Sequence, residues 1–124
     1  MARAVAYRLW IKDLAGGEYT AGKDITNPTF VKLGERKVSR VDVMGRIVEK
    51  NDSSFAVEDK TGKIRVRFFG GSMHFLNDAQ NNDTVRVIGK IREDNSGRFI
   101  AGEIVKKIAD ANYLLLREKE LGRL

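Results

Sequence analysis

The segment VEDKTGKIRVRFFGG, residues 57–71, contains the side chains with the clearest chemical purpose. In an extended chain one of its faces is apolar and suits a protein core: Ile64, Val66 and Phe68. The opposite face combines two guanidinium groups with an aromatic ring: Arg65, Arg67 and Phe69. Guanidinium groups bind phosphates, and nucleic-acid bases stack on aromatic rings. This face predicts a site for single-stranded nucleic acid, unless the N-terminal arm or a partner subunit covers Phe69.

Residues suited to catalysis or metal binding are few. The chain has one histidine, His74, and no cysteine, so disulfides and thiolate zinc sites are excluded. No spacing links His74 to a nucleophile, and a surface or packing role fits it better. The acidic pairs in VEDK and EDNS lie at predicted turns, where acids are common. The sequence predicts a protein that is not an enzyme and holds no metal or cofactor.

The charge of the chain favours a polyanionic partner. Its 124 residues include 23 Lys and Arg against 17 Asp and Glu, a net charge of +6. Such a balance suits nucleic acid or an anionic membrane surface. No apolar run approaches the roughly 18 residues of a membrane span, and no signal-peptide pattern is found. We therefore expect an intracellular protein with no membrane partner and no small-molecule substrate.

Hydrophobic alternation predicts the secondary structure that holds these residues. We predict one domain over residues 1–124, in three parts: an N-terminal strand and arm (1–35), a barrel (36–108) and a C-terminal assembly helix (109–124). YRLWIKDL, residues 7–14, predicts a short strand. Trp10 in it is expected to cap the barrel or to meet a partner.

Local breaks in the pattern predict bends and turns. The hydrophobic phase changes near Ser39, which indicates a bulge. Gly45 and Gly89 lie inside strand patterns, where a glycine indicates a sharp bend. At the turn DKTGK, Gly62 is expected to adopt a positive φ, and Asp59 is expected to bind the turn amides.

The fold class predicted is all-β with one or two helices. Five strands, a short helix between the third and fourth, and a helix at the end match the order of an OB-fold barrel. An SH3-like barrel would not easily accept that helical insert. Ligands of OB barrels cross the second and third strands between the flanking loops. The nucleic-acid-binding residues predicted on this basis are Lys50, Lys63, Arg65, Arg67, Phe69, Arg86, Lys90, Arg92 and Arg98.

The last helix carries a second predicted surface. Asp110 or Asn112 is expected to cap its start, and Gly122 is expected to end it. An apolar stripe runs along it and predicts a subunit interface: Ala111, Leu114, Leu115 and Leu121. Part of this stripe is expected to cover the end of the barrel, and the remainder suits a helix from another chain.

Five segments together resemble the middle subunit of replication protein A, above all its short archaeal forms, and the related Stn1 proteins. They are RLWIKDL, VDVMGRIVEK, VEDKTGKIRVRFF, DTVRVIGKI and ANYLLLREKEL. The resemblance implies single-stranded-DNA binding in replication, repair and recombination, and assembly through the C-terminal helix into a heterotrimer. Phe69 matches the family's stacking aromatic at the end of the third strand, whereas Asp94 stands where a second aromatic is usual. A winged-helix tail, which recruits repair proteins in longer members, is not implied.

Two alternatives stay open from the sequence. One is an OB-fold subunit that mediates protein–protein assembly without binding DNA, which the acidic run REDNS favours. The other is RNA binding, because stacking does not separate ribose from deoxyribose. The expected location is the cytoplasm or nucleoid in an archaeon and the nucleus in a eukaryote.

Overall fold

A computed structural model describes residues 6–22, 29–109 and 112–121, without the side chain of Leu114. Within these ranges the elements are, in chain order, β1 (Tyr7–Arg8), α1 (Ile11–Gly16), β2 (Glu18–Thr20), β3 (Phe30–Leu33), β4 (Arg36–Val38), β5 (Arg40–Val48), β6 (Ser54–Asp59), β7 (Gly62–Arg67), α2 (Met73–Asp78), β8 (Thr84–Asp94), β9 (Gly97–Lys107) and α3 (Asn112–Leu121). A short 3₁₀ turn, Gly70–Ser72, leads into α2.

Five of the strands close into a barrel. Their order in the sheet is β5, β6, β7, β9 and β8, and β5 also pairs with β8, which completes the circle. The pairing of β7 with β9 is parallel, and the other four barrel pairings are antiparallel. The prediction of a five-stranded OB-fold barrel with a C-terminal helix is confirmed.

The barrel interior contains the apolar faces that alternation predicted. Its fully buried residues include Val41, Val43, Ile47, Phe55, Val57, Val66, Val85, Val87, Ile91 and Ile100. Burying a side chain of this kind contributes about 1.5–3 kcal/mol, so this cluster is the main source of stability.

Two glycines let the strands approach closely enough to close the barrel. A Cβ atom at Gly45 would collide with the Glu58 carbonyl oxygen, and one at Gly89 would collide with the Ala101 carbonyl oxygen. Both positions were predicted as bends, and the close backbone contacts give the physical reason. The positive φ expected at Gly62 is wrong, because Gly62 is not among the residues with positive φ.

The prediction of a strand over residues 7–14 is wrong beyond Arg8. Strand β1 ends there, and α1 begins at Ile11. Asp59 binds the Thr61 amide at 2.7 Å, as expected of the turn. Its second oxygen accepts the Ile11 amide at 2.9 Å and so satisfies a free donor at the start of α1. Asp59, which is distant in sequence, thus stabilises the start of α1, and hydrophobic alternation could not predict this contact.

The N-terminal region packs against the barrel. Trp10 is 7% exposed, with the Lys60 ammonium 5.1 Å from its ring centre, which agrees with the expected capping role. Strands β2, β3 and β4 form a separate antiparallel sheet. The bulge expected near Ser39 is instead a break between β4 and β5, where the chain leaves this sheet for the barrel.

A buried carboxylate joins four elements. Asp42 on β5 is 1% exposed, and its carboxylate accepts Arg86 Nε at 3.0 Å and Arg117 Nη2 at 3.0 Å. The Asp42 carbonyl oxygen accepts Arg117 Nη1 at 3.0 Å and the Leu9 amide at 3.2 Å. Asp42 therefore ties α3, β8 and the N-terminal segment to the barrel wall.

The structure describes only part of the interface stripe that was predicted on α3. Ala111 lies outside the described residues, as do Asp110 and Gly122 and the side chain of Leu114. Leu115 is exposed and Leu121 is partly buried. Tyr113 and Leu116 are also exposed, so the described part of α3 presents apolar surface to solvent.

None of the described helices combines the length and the apolar composition that a membrane span requires.

We predict that Asp42→Asn lowers the free energy of unfolding by about 3 kcal/mol, because Arg117 would stay buried without its carboxylate partner. Urea denaturation measures the change. Glu58→Gln is the matched control, since Glu58 pairs with Arg46 at the surface, and it should cost less than about 1 kcal/mol. Equal costs for the two substitutions would contradict a structural role for the Asp42 cluster.

Candidate nucleic-acid interface

The outer face of the barrel brings the predicted cations of two separate strands together. Strand β9 lies between β7 and β8, and Phe99 is the partner of both Arg65 on β7 and Arg92 on β8. Ala101 in the next row is the partner of both Arg67 and Lys90. Side chains opposite each other on the antiparallel strands β8 and β9 lie within about 5.5 Å at Cβ, and across the parallel pair the Arg65 and Arg67 guanidinium groups lie over the Phe99 ring. Arg65, Arg67, Lys90 and Arg92, with Phe99 among them, therefore form one surface, which we call the arginine face.

Phe69 follows the end of β7 and borders this face. Its side chain is 53% exposed, and the Arg67 guanidinium carbon lies 5.2 Å from the ring centre. The Ser72 hydroxyl accepts the Phe69 amide at 3.2 Å and donates to the Phe69 carbonyl at 3.0 Å. These bonds fix the backbone that presents the ring. The described part of the N-terminal arm leaves the ring exposed, and its role in stacking stays a prediction.

Phe99 is a member of the arginine face that the sequence did not assign. It points outward yet is only 7% exposed, because two guanidinium groups lie over its ring. The guanidinium carbons of Arg65 and Arg67 are 5.5 Å and 5.1 Å from the ring centre. Such cation–π contacts contribute about 0.5–1 kcal/mol each near a surface. Because Ile100 points inward, alternation could have predicted that Phe99 points outward. It could not have predicted that Phe99 lies beside β7.

Asp94 supplies a negative charge within this face. Its carboxylate accepts Arg65 Nη2 at 2.9 and 3.1 Å and Arg67 Nη1 at 3.0 Å. The Ser96 amide donates to the same carboxylate at 2.8 Å. Desolvation acts to raise the pKa of Asp94, but the Ser96 hydrogen bond and the charges of Arg65 and Arg67 outweigh it and lower the pKa. The carboxylate is therefore ionised at neutral pH and compensates one of the two guanidinium charges.

The structure places four other predicted binding residues in contacts of their own. Arg86 lies at the opposite end of β8, where hydrogen bonding to Asp42 raises its pKa, so the structure does not bring it into the arginine face with Lys90 and Arg92. Lys63 binds Glu49 at 2.6 Å, and this hydrogen bond raises the pKa of Lys63. Lys63 stays on the outer side of β7, with its charge compensated.

Lys50 and Arg98 hold neighbouring helices. The Lys50 ammonium donates to the Ala79 carbonyl at 2.6 Å, just beyond the end of α2. Arg98 Nη1 donates to the Leu14 carbonyl at 2.7 Å in α1. Both contacts join residues far apart in the sequence, so charge and local position alone could not predict them.

No group of three or more His, Cys, Asp or Glu side chains among the described residues is arranged to hold a metal ion. His74 Nδ1 lies 2.9 Å from the Gly71 carbonyl oxygen, in a contact within its own turn. The arginine face offers cations, exposed aromatic surface at Phe69 and a carboxylate that pairs with two of the cations.

The chain belongs to the OB-fold nucleic acid binding domain family. The profile of that family matches residues 41–108, which is more than half of the chain and covers all five barrel strands. A search of curated proteins found no significant match.

Solved structures share this backbone. A chain in a replication protein A heterotrimer bound to ssDNA is 21% identical, with a TM-score of 0.70 over 90% of this chain and 87% of that chain. A chain of the S. pombe Stn1–Ten1 complex is 16% identical, with a TM-score of 0.69 over 91% and 85%. A chain of yeast replication protein A bound to ssDNA is 20% identical, with a TM-score of 0.64 over 97% and 90%. At these identities the likeness establishes a shared fold.

We predict that substitution by alanine changes the free energy of unfolding much less at Phe69 than at Phe99. Phe69→Ala should change the free energy of unfolding by less than about 0.5 kcal/mol, because the ring is exposed. Phe99→Ala should lower it by about 2 kcal/mol, because its ring is buried beneath the arginines. Urea denaturation of both variants provides the test. A large loss for Phe69→Ala would mean that other groups cover its ring in solution.

Proposed function

We propose that this chain binds single-stranded DNA on the arginine face, as a subunit of a replication protein A-like complex in DNA replication, repair and recombination. The observation that carries the proposal is the exposed Phe69 ring, which lies directly beside Arg67 at the edge of the face. A cationic surface bordered by an aromatic ring suits a strand whose phosphates are neutralised while its bases stack. Two of the similar solved structures contain ssDNA, which supports the same choice.

The proposed role is binding without catalysis, inside the cell. Sequence preference should be slight, because stacking accepts every base and the face offers mainly guanidinium and ammonium groups. RNA is the natural competitor in any binding assay, since the same contacts suit both polymers.

A structural subunit that binds no DNA is the second candidate. The contact that favours it is the pairing of Asp94 with both Arg65 and Arg67, which compensates charge where a phosphate would bind. The two candidates make different predictions for the isolated protein, so a direct binding measurement separates them.

We predict that the full chain binds fluorescent oligo-dT at about 20 mM salt, with log K falling by roughly 0.7 per phosphate neutralised as log salt rises. Phe69→Ala should weaken binding by about 1–3 kcal/mol through loss of one stacked base, and Phe69→Tyr should retain it. Fluorescence anisotropy measures both quantities.

Competitor nucleic acids test whether the binding depends on stacking of single-stranded bases. Oligo-rU and duplex DNA of matched length are the competitors. Equal affinity for duplex and single strand would argue against stacking, and an unchanged Phe69→Ala variant would remove Phe69 from the site. Absence of binding by a folded protein would favour the structural candidate.

Assembly with replication protein A-type subunits through α3 is the second part of the proposal. Tyr113, Leu115 and Leu116 are each more than half exposed, and an exposed apolar cluster favours a protein contact. Arg117 on the same helix is buried against Asp42, so α3 is anchored to the barrel while its outer side remains available.

We predict that the double variant Leu115→Glu, Leu116→Glu stays folded but loses self-association and capture of partner subunits. The physical reason is that two carboxylates would have to be desolvated in an apolar contact. Lys119→Glu is the matched control, because it changes the charge of the same helix by the same amount. Light scattering and a pull-down with candidate subunits measure the effect. Wild-type assembly by the double variant would place the interface elsewhere.

A further inference from the structure

We infer that Asp94 is a built-in competitor for nucleic-acid phosphate. Its carboxylate occupies the position on Arg65 and Arg67 that a phosphodiester group takes when a strand binds, so the strand must displace it. Asp94 thereby sets the affinity of the site. This inference rests on the proposed binding of single-stranded DNA.

The geometry of the contact is that of an anion bound by two arginines. Arg65 Nη2 lies 2.9 and 3.1 Å from the two Asp94 oxygens, and Arg67 Nη1 lies 3.0 Å from one of them. Guanidinium groups bind carboxylate and phosphate oxygens through the same planar arrangement of N–H donors. One anion therefore excludes the other from these donors.

The turn between β8 and β9 fixes the orientation of the Asp94 carboxylate. Asp94 is the last residue of β8, and Gly97, with a φ of +116°, begins β9. The Ser96 amide donates to Asp94 Oδ1 at 2.8 Å and orients the carboxylate within the turn. The contacts that a phosphate would replace are made by side chains alone. Displacement therefore needs no strand of the barrel to separate.

The contact is weak enough to be displaced. The side chains of Asp94, Arg65 and Arg67 are 30–35% exposed, and ion pairs so accessible to water contribute little net stability. A strand offers several phosphates and bases at once, whereas Asp94 offers one carboxylate. The low pKa of Asp94 keeps that carboxylate charged at neutral pH, so competition persists under physiological conditions.

Displacement would also expose a second aromatic surface. Arg65 and Arg67 cover Phe99 while they bind Asp94. When they turn toward phosphates, one face of the Phe99 ring becomes accessible beside the Phe69 ring. The same movement thus frees two cations and a stacking surface.

The test compares Asp94→Asn with Glu93→Gln in the full chain. Both variants remove one negative charge from the end of β8, but Glu93 pairs with Arg98 and not with the arginine face. Asp94→Asn should bind oligo-dT about threefold to tenfold more tightly than wild type, and Glu93→Gln should change affinity less. The salt slope of Asp94→Asn should be steeper by roughly 0.7 for each additional phosphate neutralised.

A variant lacking both arginines, Arg65→Gln with Arg67→Gln, separates competition from general charge. Adding Asp94→Asn to it should give no gain beyond that of Glu93→Gln, because no guanidinium remains to be released. The inference is overturned if Asp94→Asn binds like Glu93→Gln. It is also overturned if Asp94→Asn binds more weakly than wild type, because Asp94 would then position the arginines for the strand.

A second measurement keeps the inference separate from the proposed function. If neither wild type nor Asp94→Asn binds oligo-dT, the proposed function fails, and inorganic pyrophosphate decides the competition. NMR signals of the Arg65 and Arg67 guanidinium groups should then shift at lower pyrophosphate concentration in Asp94→Asn than in wild type or Glu93→Gln. Equal midpoints in the three proteins would overturn the inference.

Discussion

Strand β9 forms hydrogen bonds with two neighbouring strands, and these bonds hold both the barrel and the candidate site together. Strand β9 pairs in parallel with β7 and antiparallel with β8, and the pairing of β8 with β5 then closes the barrel. Closure removes the exposed sheet edges that invite aggregation. The two pairings of β9 also create the arginine face, since Arg65 and Arg92 are brought to one surface only because both lie opposite Phe99. The core and the candidate site therefore arise from the same pairings.

The distribution of charge in this protein differs from what its net charge of +6 suggests. Several predicted binding cations are compensated or structural: Lys50, Lys63, Arg86 and Arg98 each bind a specific oxygen of the protein. Compensation is also present inside the arginine face, through Asp94. Under the proposed function, a site of this kind suits a subunit whose own affinity is modest. Several such sites joined in one assembly can hold a strand that none of them holds tightly alone.

The Asp42 cluster relates the barrel to its proposed role in assembly. Arg117 is almost fully buried against Asp42, although an exposed helix on a small barrel could be retained by apolar contacts alone. An ion pair in this position is costly to desolvate, so its value lies as much in orientation as in stability. It defines which side of α3 faces the barrel. Tyr113, Leu115 and Leu116 are left exposed, where a partner could contact them.

Hydrophobic alternation in the sequence was sufficient to predict the inward apolar face of each barrel strand and to place Arg65 and Arg67 on the opposite side of β7. Alternation has a period of two along any strand, so the buried Val66 and the outward Arg67 follow from spacing alone, as does the exposed Phe69 after them. The side-chain contacts between residues far apart in the sequence became apparent only in the folded barrel. Asp59 binds the amide of Ile11 at the start of α1, Asp42 binds Arg86, and Asp94 reaches Arg65 across the intervening strand β9. These contacts join residues between 29 and 48 positions apart, and local pattern carries no information about which distant groups barrel closure brings within hydrogen-bond distance.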